Sequence, residues 1–233
     1  MLNTITNITI GIRYARSFRI LDVAGEVIDD ILYSSDSPFG VKFFPKITED
    51  VNRERILFNP ETKNVLRINT DDLILRIKVQ DFERDFKKII DDFIPYFKDE
   101  IFQTYKIHNV RRFGVIYSHS LPITKDLNSI ISEFSKQNVK EPNNTRLYFS
   151  QKSSVPEAQF RKGLNDYFNT IYTFTQIEDE LLADLDFQRY FEPNVEDIRD
   201  SEPEQFLEDS KKFLTEKFHS WLKNYGEKTS KTK

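Results

Sequence analysis

Cysteine is absent from this sequence, and with it go disulfides, thiolate nucleophiles and cysteine-ligated metal sites. Glycine is scarce, at positions 11, 25, 40, 114, 163 and 226 only. None of these falls in a G-x-x-x-x-G-K-[ST] or G-x-G-x-x-G pattern, whose clustered glycines let backbone amides reach phosphate. Nucleotide cradles of those classes are excluded. Histidine occurs as His108, His119 and His219, with no H-x-x-x-H or H-E-x-x-H spacing, so a metal site would need carboxylates brought from separate elements. No apolar run is long enough to cross a bilayer. The opening MLNTITNITI has no basic n-region, apolar core or small-residue cleavage site, which predicts a cytoplasmic protein with no membrane partner. The sequons at 7–9 and 143–145 then read as chance matches.

Phenylalanine is abundant, at 21 residues, and supplies much apolar area for burial. Charged residues make up 31% of the chain, the mean hydropathy is -0.56 and the net charge is -4. That charge is unevenly spread. Between Glu178 and Glu204 stand eleven acidic residues against Arg189 and Arg199, leaving the rest of the chain net basic. Such a stretch repels a phosphate backbone. It reads either as a solvated face or as a docking surface for a basic protein partner, with Glu178, Asp179, Glu180, Glu196, Asp197 and Asp200 as the binding candidates.

Hydrophobic spacing predicts an α+β fold. Ile8, Ile10 and Ile12 alternate as in a strand, and Leu21, Ala24, Ile28 and Ile31 follow at helical spacing. VKFFPKI reads as an edge strand interrupted by Pro45. RILFNPETKNVLRI reads as two strands around a turn at Asn59, Pro60 and Asn64, and residues 71–79 as another strand. From Asp81, an N-cap, Phe82, Phe86, Ile89, Phe93, Phe97 and Ile101 trace one side of a long helix that Pro95 should bend. Residues 110–120 form a strand, 122–134 a helix, and TRLYFSQ, DYFNTIYTFTQI and LLADLDFQRYF further strands. Ser201 and Glu204 have the spacing of a capping box at the start of a last helix. Leu207, Leu214, Phe218 and Trp221 mark its apolar side, and Gly226 its stop.

The order strand, helix, several strands thus occurs twice. GIRYARSFRI at 11–20 also returns as GVIYSHSLPI at 114–123, with Gly, Tyr, Ser and Ile in the same places. This predicts two related halves, 1–107 and 108–200, in a single domain over 1–226. A terminal helix at 201–225 and a flexible tail at 227–233 complete it.

Residues 64–97 together with VRRFGVIYSHSLPI resemble the middle of a sporadically distributed family of uncharacterised prokaryotic proteins. Its members carry a strand, a long amphipathic helix and a strand of the form R-x-G-L-R-Y. Arg112, Gly114, Val115 and Tyr117 correspond to that form here, and Ile116 departs from its usual basic residue. LLADLDF resembles the family's D-x-D strand, and FLEDSKKFLTEKFHSWL its final His-containing helix. The resemblance spans most of 60–224 and implies no established activity. Its sporadic distribution fits a component of a prokaryotic multi-protein system, antiviral defence being one such setting.

Three chemistries remain to be weighed. Ser118 and His119 are adjacent on a strand and point to opposite faces, which disfavours a nucleophile and base pair. Asp184 and Asp186 share a face, so they could share a proton or bind a hard cation, with His119 or His219 nearby. Lys106, His108, Arg111 and Arg112 lie among Tyr105 and Phe113, a mixture that can contact phosphate and stack on bases. The leading expectation is a non-enzymatic interaction or regulatory protein that needs no cofactor and binds another protein, a second copy of itself included. A metal-dependent enzyme using Asp184 and Asp186 and a nucleic-acid binder using the basic cluster are the alternatives.

Overall fold

The computed structural model describes residues 2–49, 54–122, 145–159, 161–177, 180–220 and 222. The alternation in ITNITIGIRY becomes β1 (Ile5–Tyr14), where Ile8, Ile10, Ile12 and Tyr14 are buried and the residues between them are not. Two short helices follow, α1 (Arg19–Asp22) and α2 (Ala24–Tyr33). Residues 41–47 depart from the expected strand. Phe44 is buried in the core with Phe43 packed beside it, and β2 (Lys46–Glu49) begins only after Pro45, which cannot donate to a ladder. Then come β3 (Arg55–Phe58), β4 (Val65–Ile68) and β5 (Asp72–Lys78). The turn between β3 and β4 is closed by Asn59, whose side chain accepts from the amides of Glu61 and Thr62.

Asp81 caps the long helix by accepting from the amide of Arg84. The helix is not uniform. It runs as α3 (Phe82–Lys88), a π-helical segment Ile89–Phe93, α4 (Ile94–Tyr96) and a second π-helical segment Phe97–Gln103. The changes of pitch surround Pro95, which has no amide hydrogen to donate. All six residues of the Phe and Ile stripe are buried. Phe39 stacks on Phe93 at 4.6 Å and on Phe97 at 5.4 Å, and each ring fully removed from water contributes about 1.5–3 kcal/mol.

The second part of the chain supplies β6 (Val110–Pro122), β7 (Thr145–Ser154), β8 (Tyr167–Ile177) and β9 (Glu180–Val195), then α5 (Glu202–Phe213) with a π-helical end at Leu214–Phe218. Pro122 ends β6, and the rest of the helix expected over 122–134 lies outside the described residues, as do Trp221, Gly226 and the tail. Ser201 stands at the start of α5 with φ 61° and its side chain caps nothing, so the capping box does not form. The neighbouring Glu202 turns inward instead, onto Arg161.

The strands make one antiparallel sheet in the order β2-β3-β4-β5-β1-β6-β9-β8-β7. Its middle is the β1–β6 pair, in which Gly11 lies directly opposite Gly114. One face carries the core. Tyr14 meets Phe102 of the long helix, Tyr117 meets Phe82 and Phe86, and Phe113 and Phe187 meet Phe206 of α5. Both echoed tyrosines are fully buried with their hydroxyls bonded. Tyr14 donates to the carbonyl of Asn69 at 2.6 Å, and Tyr117 is 2.6 Å from the Ser210 hydroxyl.

A charged cluster fastens α5 to the sheet. In β9 the inward positions run Leu181, Ala183, Leu185, Phe187, Arg189 and Phe191, so Arg189 arrives where an apolar residue is expected. It is answered by Asp166 at 2.6 Å and the carbonyl of Gln159 at 3.0 Å, with Glu202 at 3.5 Å. Arg161 holds Glu202 through two nitrogens. Two guanidinium groups and two carboxylates therefore cancel where water is excluded, the condition under which buried charge is tolerated.

Candidate functional site on the open sheet face

The strand period of two sends every second side chain to the face opposite the helices. There most residues are exposed or half-buried, with Asp72 and Gln188 buried among them. Register fixes their neighbours. One row crosses Ile74 of β5, Gly11, Gly114, Gln188 of β9 and Asn169 of β8, ending at Lys152 of β7. The next runs Asp72, Arg13, Arg112, Tyr190, Tyr167 and Ser154.

Where β1 and β6 meet, the two glycines leave the sheet bare of side chains. A cavity of about 90 Å³ opens above them, walled by Arg13, Arg112, Asp72, Asp186 and Gln188, with Thr9, Ile74 and Ile116 completing it. Arg13 donates to Asp72 at 2.8 Å. Arg112, its direct partner across the strands, donates to the Tyr190 hydroxyl at 2.8 Å and lies over that ring. Tyr190 stacks on Tyr167 with centroids 5.1 Å apart, and the Lys152 ammonium sits 3.5 Å above Tyr167. The result is a continuous band of cations and aromatic faces running out from the cavity. Gln188 donates to Asp186 at 2.6 Å. Burial pushes the Asp186 carboxyl up to about 6, against the pull of Arg112 and of the Gln188 hydrogen bond, with Asp184 adding to the rise.

The residues singled out in the sequence are dispersed. Asp184 and Asp186 share the open face as expected, at the register positions of Ser118 and Ile116. His119 and His219 lie on the other side of the sheet, ring against ring at 5.3 Å and both buried. The combination of these aspartates with those histidines is therefore corrected: the sheet separates them. Among the described residues no group of three or more metal-ligating side chains forms. His119 Nδ1 is hydrogen-bonded to the Thr4 hydroxyl at 2.9 Å, and the ring is held neutral, its pKa lowered to about 3 by burial first, then by His219 and the chain's amino terminus.

The basic cluster is likewise divided. Lys106 and His108 line a separate cavity of about 500 Å³ with Lys98, Phe102, Asp197 and Ile198. Arg111 is exposed at a register shift in β6, and only Arg112 reaches the open face. The acidic stretch does not stand together either. Asp197 is 3.1 Å from His108, Asp200 takes Lys98 at 3.2 Å, Glu180 accepts from Ser120 and Glu196 is exposed. Glu178 and Asp179 lie outside the described residues. Sequence reasoning missed Arg13, Asp72 and Gln188. The alternation puts Arg13 and Gln188 on the right side of their strands, but only the pairing register brings them to one place.

No known protein family matches this chain, and no curated protein does. Among solved structures, the TBP of Methanococcus jannaschii is similar over 91% of this chain and 95% of its own, at 11% identity and a TM-score of 0.27, a level that carries no argument. The class defined by fold and site is an α+β protein with one antiparallel sheet, a helix-covered face and a polar, cationic open face.

Proposed function

We propose that this protein is a non-enzymatic recognition component whose open sheet face is its binding surface. One observation carries the reading: the cavity over Gly11 and Gly114 continues into the Arg112, Tyr190, Tyr167 and Lys152 band. A rigid sheet presenting convergent polar groups around a depression is a common form of binding site. Nothing in the same place resembles a nucleophile and base within bonding reach. The acidic 178–204 stretch supports the reading less well, because several of its carboxylates are already engaged within the chain.

The same reading includes an internal duplication. β1 and β6 each open a half that ends in the strand beside them, β5 and β9 respectively, and the central glycines face each other. A twofold axis through the glycine pair would exchange Gly11 with Gly114 and Tyr14 with Tyr117, and would set Arg13 against Ile116. The cationic side of the cavity is then where the halves have diverged. Membership of a prokaryotic multi-protein system remains part of the proposal.

Capture of targets from the native host tests it. Arg76 is exposed on β5, opposite Thr9 on the open face; the wild-type protein should retain its target, and Arg76→Glu with Lys152→Glu should lose it. Tyr33→Ser on the helix side should behave as wild type. Loss with Tyr33→Ser and retention with the open-face pair would refute the assignment.

A further inference from the structure

We propose that the cavity over Gly11 and Gly114 is an oxyanion subsite, which takes a phosphate-type group between the guanidinium groups of Arg13 and Arg112. The inference rests on the open-face reading and names the chemistry of its ligand. Three features of the cavity point to an anion.

Arg13 and Arg112 are direct register partners on neighbouring strands, an arrangement of like charges that is unfavourable unless something negative joins them. Asp72 answers Arg13, but among the described residues no carboxylate lies within ion-pair distance of Arg112, whose hydrogen bond goes to the neutral Tyr190 hydroxyl. The floor is two glycines, where an approaching oxygen meets backbone and no Cβ. Finally, the volume of about 90 Å³ is well below the roughly 300 Å³ at which pockets for whole drug-sized ligands begin. It suits a single tetrahedral group, with the remainder of a larger ligand lying over Tyr190 and Tyr167.

Asp72 and Asp186 also line the cavity and must be reconciled with an anion. Asp72 is neutralised by Arg13 and accepts from the Asn69 amide at 2.7 Å. Asp186 is half-buried, faces Arg112, Asp184 and Gln188, and its carboxyl takes up a proton readily there. It would act as a gate on affinity, repelling the ligand when ionised and donating a hydrogen bond when protonated.

A phosphate group can come from a free anion or from the phosphodiester of a single-stranded nucleic acid, and two probes separate these sources. The full-length protein is titrated with inorganic phosphate by calorimetry, and with a fluorescent oligothymidylate about twelve nucleotides long by anisotropy at low salt. Arg112→Gln should weaken binding at least roughly tenfold, the scale of one charge-assisted hydrogen bond. Gly114→Val keeps every charge but fills the floor, and should weaken it comparably. A Cβ at Gly114 meets nothing nearer than Gln188 Cγ at 3.9 Å, and circular dichroism checks that the variant folds with its two γ-methyls in place. Asp186→Asn should tighten binding several-fold.

Binding of phosphate that both variants weaken supports the subsite with a free anion as its source. Binding of the oligonucleotide alone, weakened by both, supports it with a phosphodiester. Binding of neither probe, or equal binding by wild type, Arg112→Gln and Gly114→Val, overturns it. Host capture that still depends on the open face in that case would leave the recognition reading standing without the anion.

Discussion

Two titrating groups on opposite faces of the sheet, the half-buried Asp186 and the buried His119, should oppose each other as pH falls, and replacing one should expose the other. Asp186 has its carboxyl raised from 3.8 to about 6 by burial. Between pH 7 and 5 the folded protein therefore takes up a proton that the unfolded chain does not, and stability rises. His119 is lowered from 6.5 to about 3. Over the same interval the unfolded chain takes up a proton that the folded protein refuses, and stability falls. With about 1.36 kcal/mol per pKa unit, Asp186 contributes a gain of about 1.4 kcal/mol and His119 a loss of about 2 kcal/mol. From these two groups the wild-type protein loses only about 0.6 kcal/mol. Asp186→Asn removes the gain while keeping an acceptor for Gln188, so the variant should lose about 1.4 kcal/mol more than wild type over that range. Urea denaturation followed by far-ultraviolet circular dichroism at several pH values measures the difference, and other carboxylates cancel between the two proteins. Parallel curves for wild type and Asp186→Asn would refute a desolvated Asp186 carboxyl.

Other consequences concern the frame that holds the site. Arg189→Met should destabilise the protein by about 3–5 kcal/mol, because Asp166 is left charged and buried; thermal melting against wild type checks it, and a loss under about 1 kcal/mol would mean the pair is solvated. Tyr117→Phe should cost about 1 kcal/mol in chemical denaturation, the hydroxyl bond to Ser210 being its sole polar loss. Phe93→Ala should cost about 3–5 kcal/mol in the same assay, since the ring is buried against Phe39 and Phe43 and leaves a cavity between them.

Local pattern made the strands and the long helix legible before any coordinates. Ile8, Ile10 and Ile12 face one way because a pleated chain has a period of two, and the Phe82 to Ile101 stripe is buried because a helix has a period near four. Failures arose where distant segments compete with a local signal. Ser201 and Glu204 have capping-box spacing, but Arg161, some forty residues earlier, draws Glu202 inward and Ser201 takes a left-handed conformation. Arg189 did leave a trace, being a charge in phase with Leu185 and Phe187, yet its partners Asp166 and Glu202 stand in loop and helix positions that no spacing rule connects. The site was half visible. The Gly11 and Gly114 echo points to duplication and not to a binding floor, the alternation puts Asp184 and Asp186 on one face, and Arg13 meets Arg112 only through the β1–β6 register. The expected pairing of Asp184 and Asp186 with histidine failed for a simple reason: His119 is odd-numbered in β6 and faces the core with Val115 and Tyr117, while the aspartates face away.

Hydroxyl-radical footprinting of the wild-type protein, with and without extract of its native host, tests the assignment of the open face most directly. Tyr148 on that face and Tyr33 on α2 are comparably exposed, at 59% and 69%, so they report the two sides of the molecule in one experiment. The account predicts that extract protects Tyr148, Tyr167 and Tyr190 and leaves Tyr33 unchanged. Protection of Tyr33 with no change at the three open-face tyrosines would contradict it.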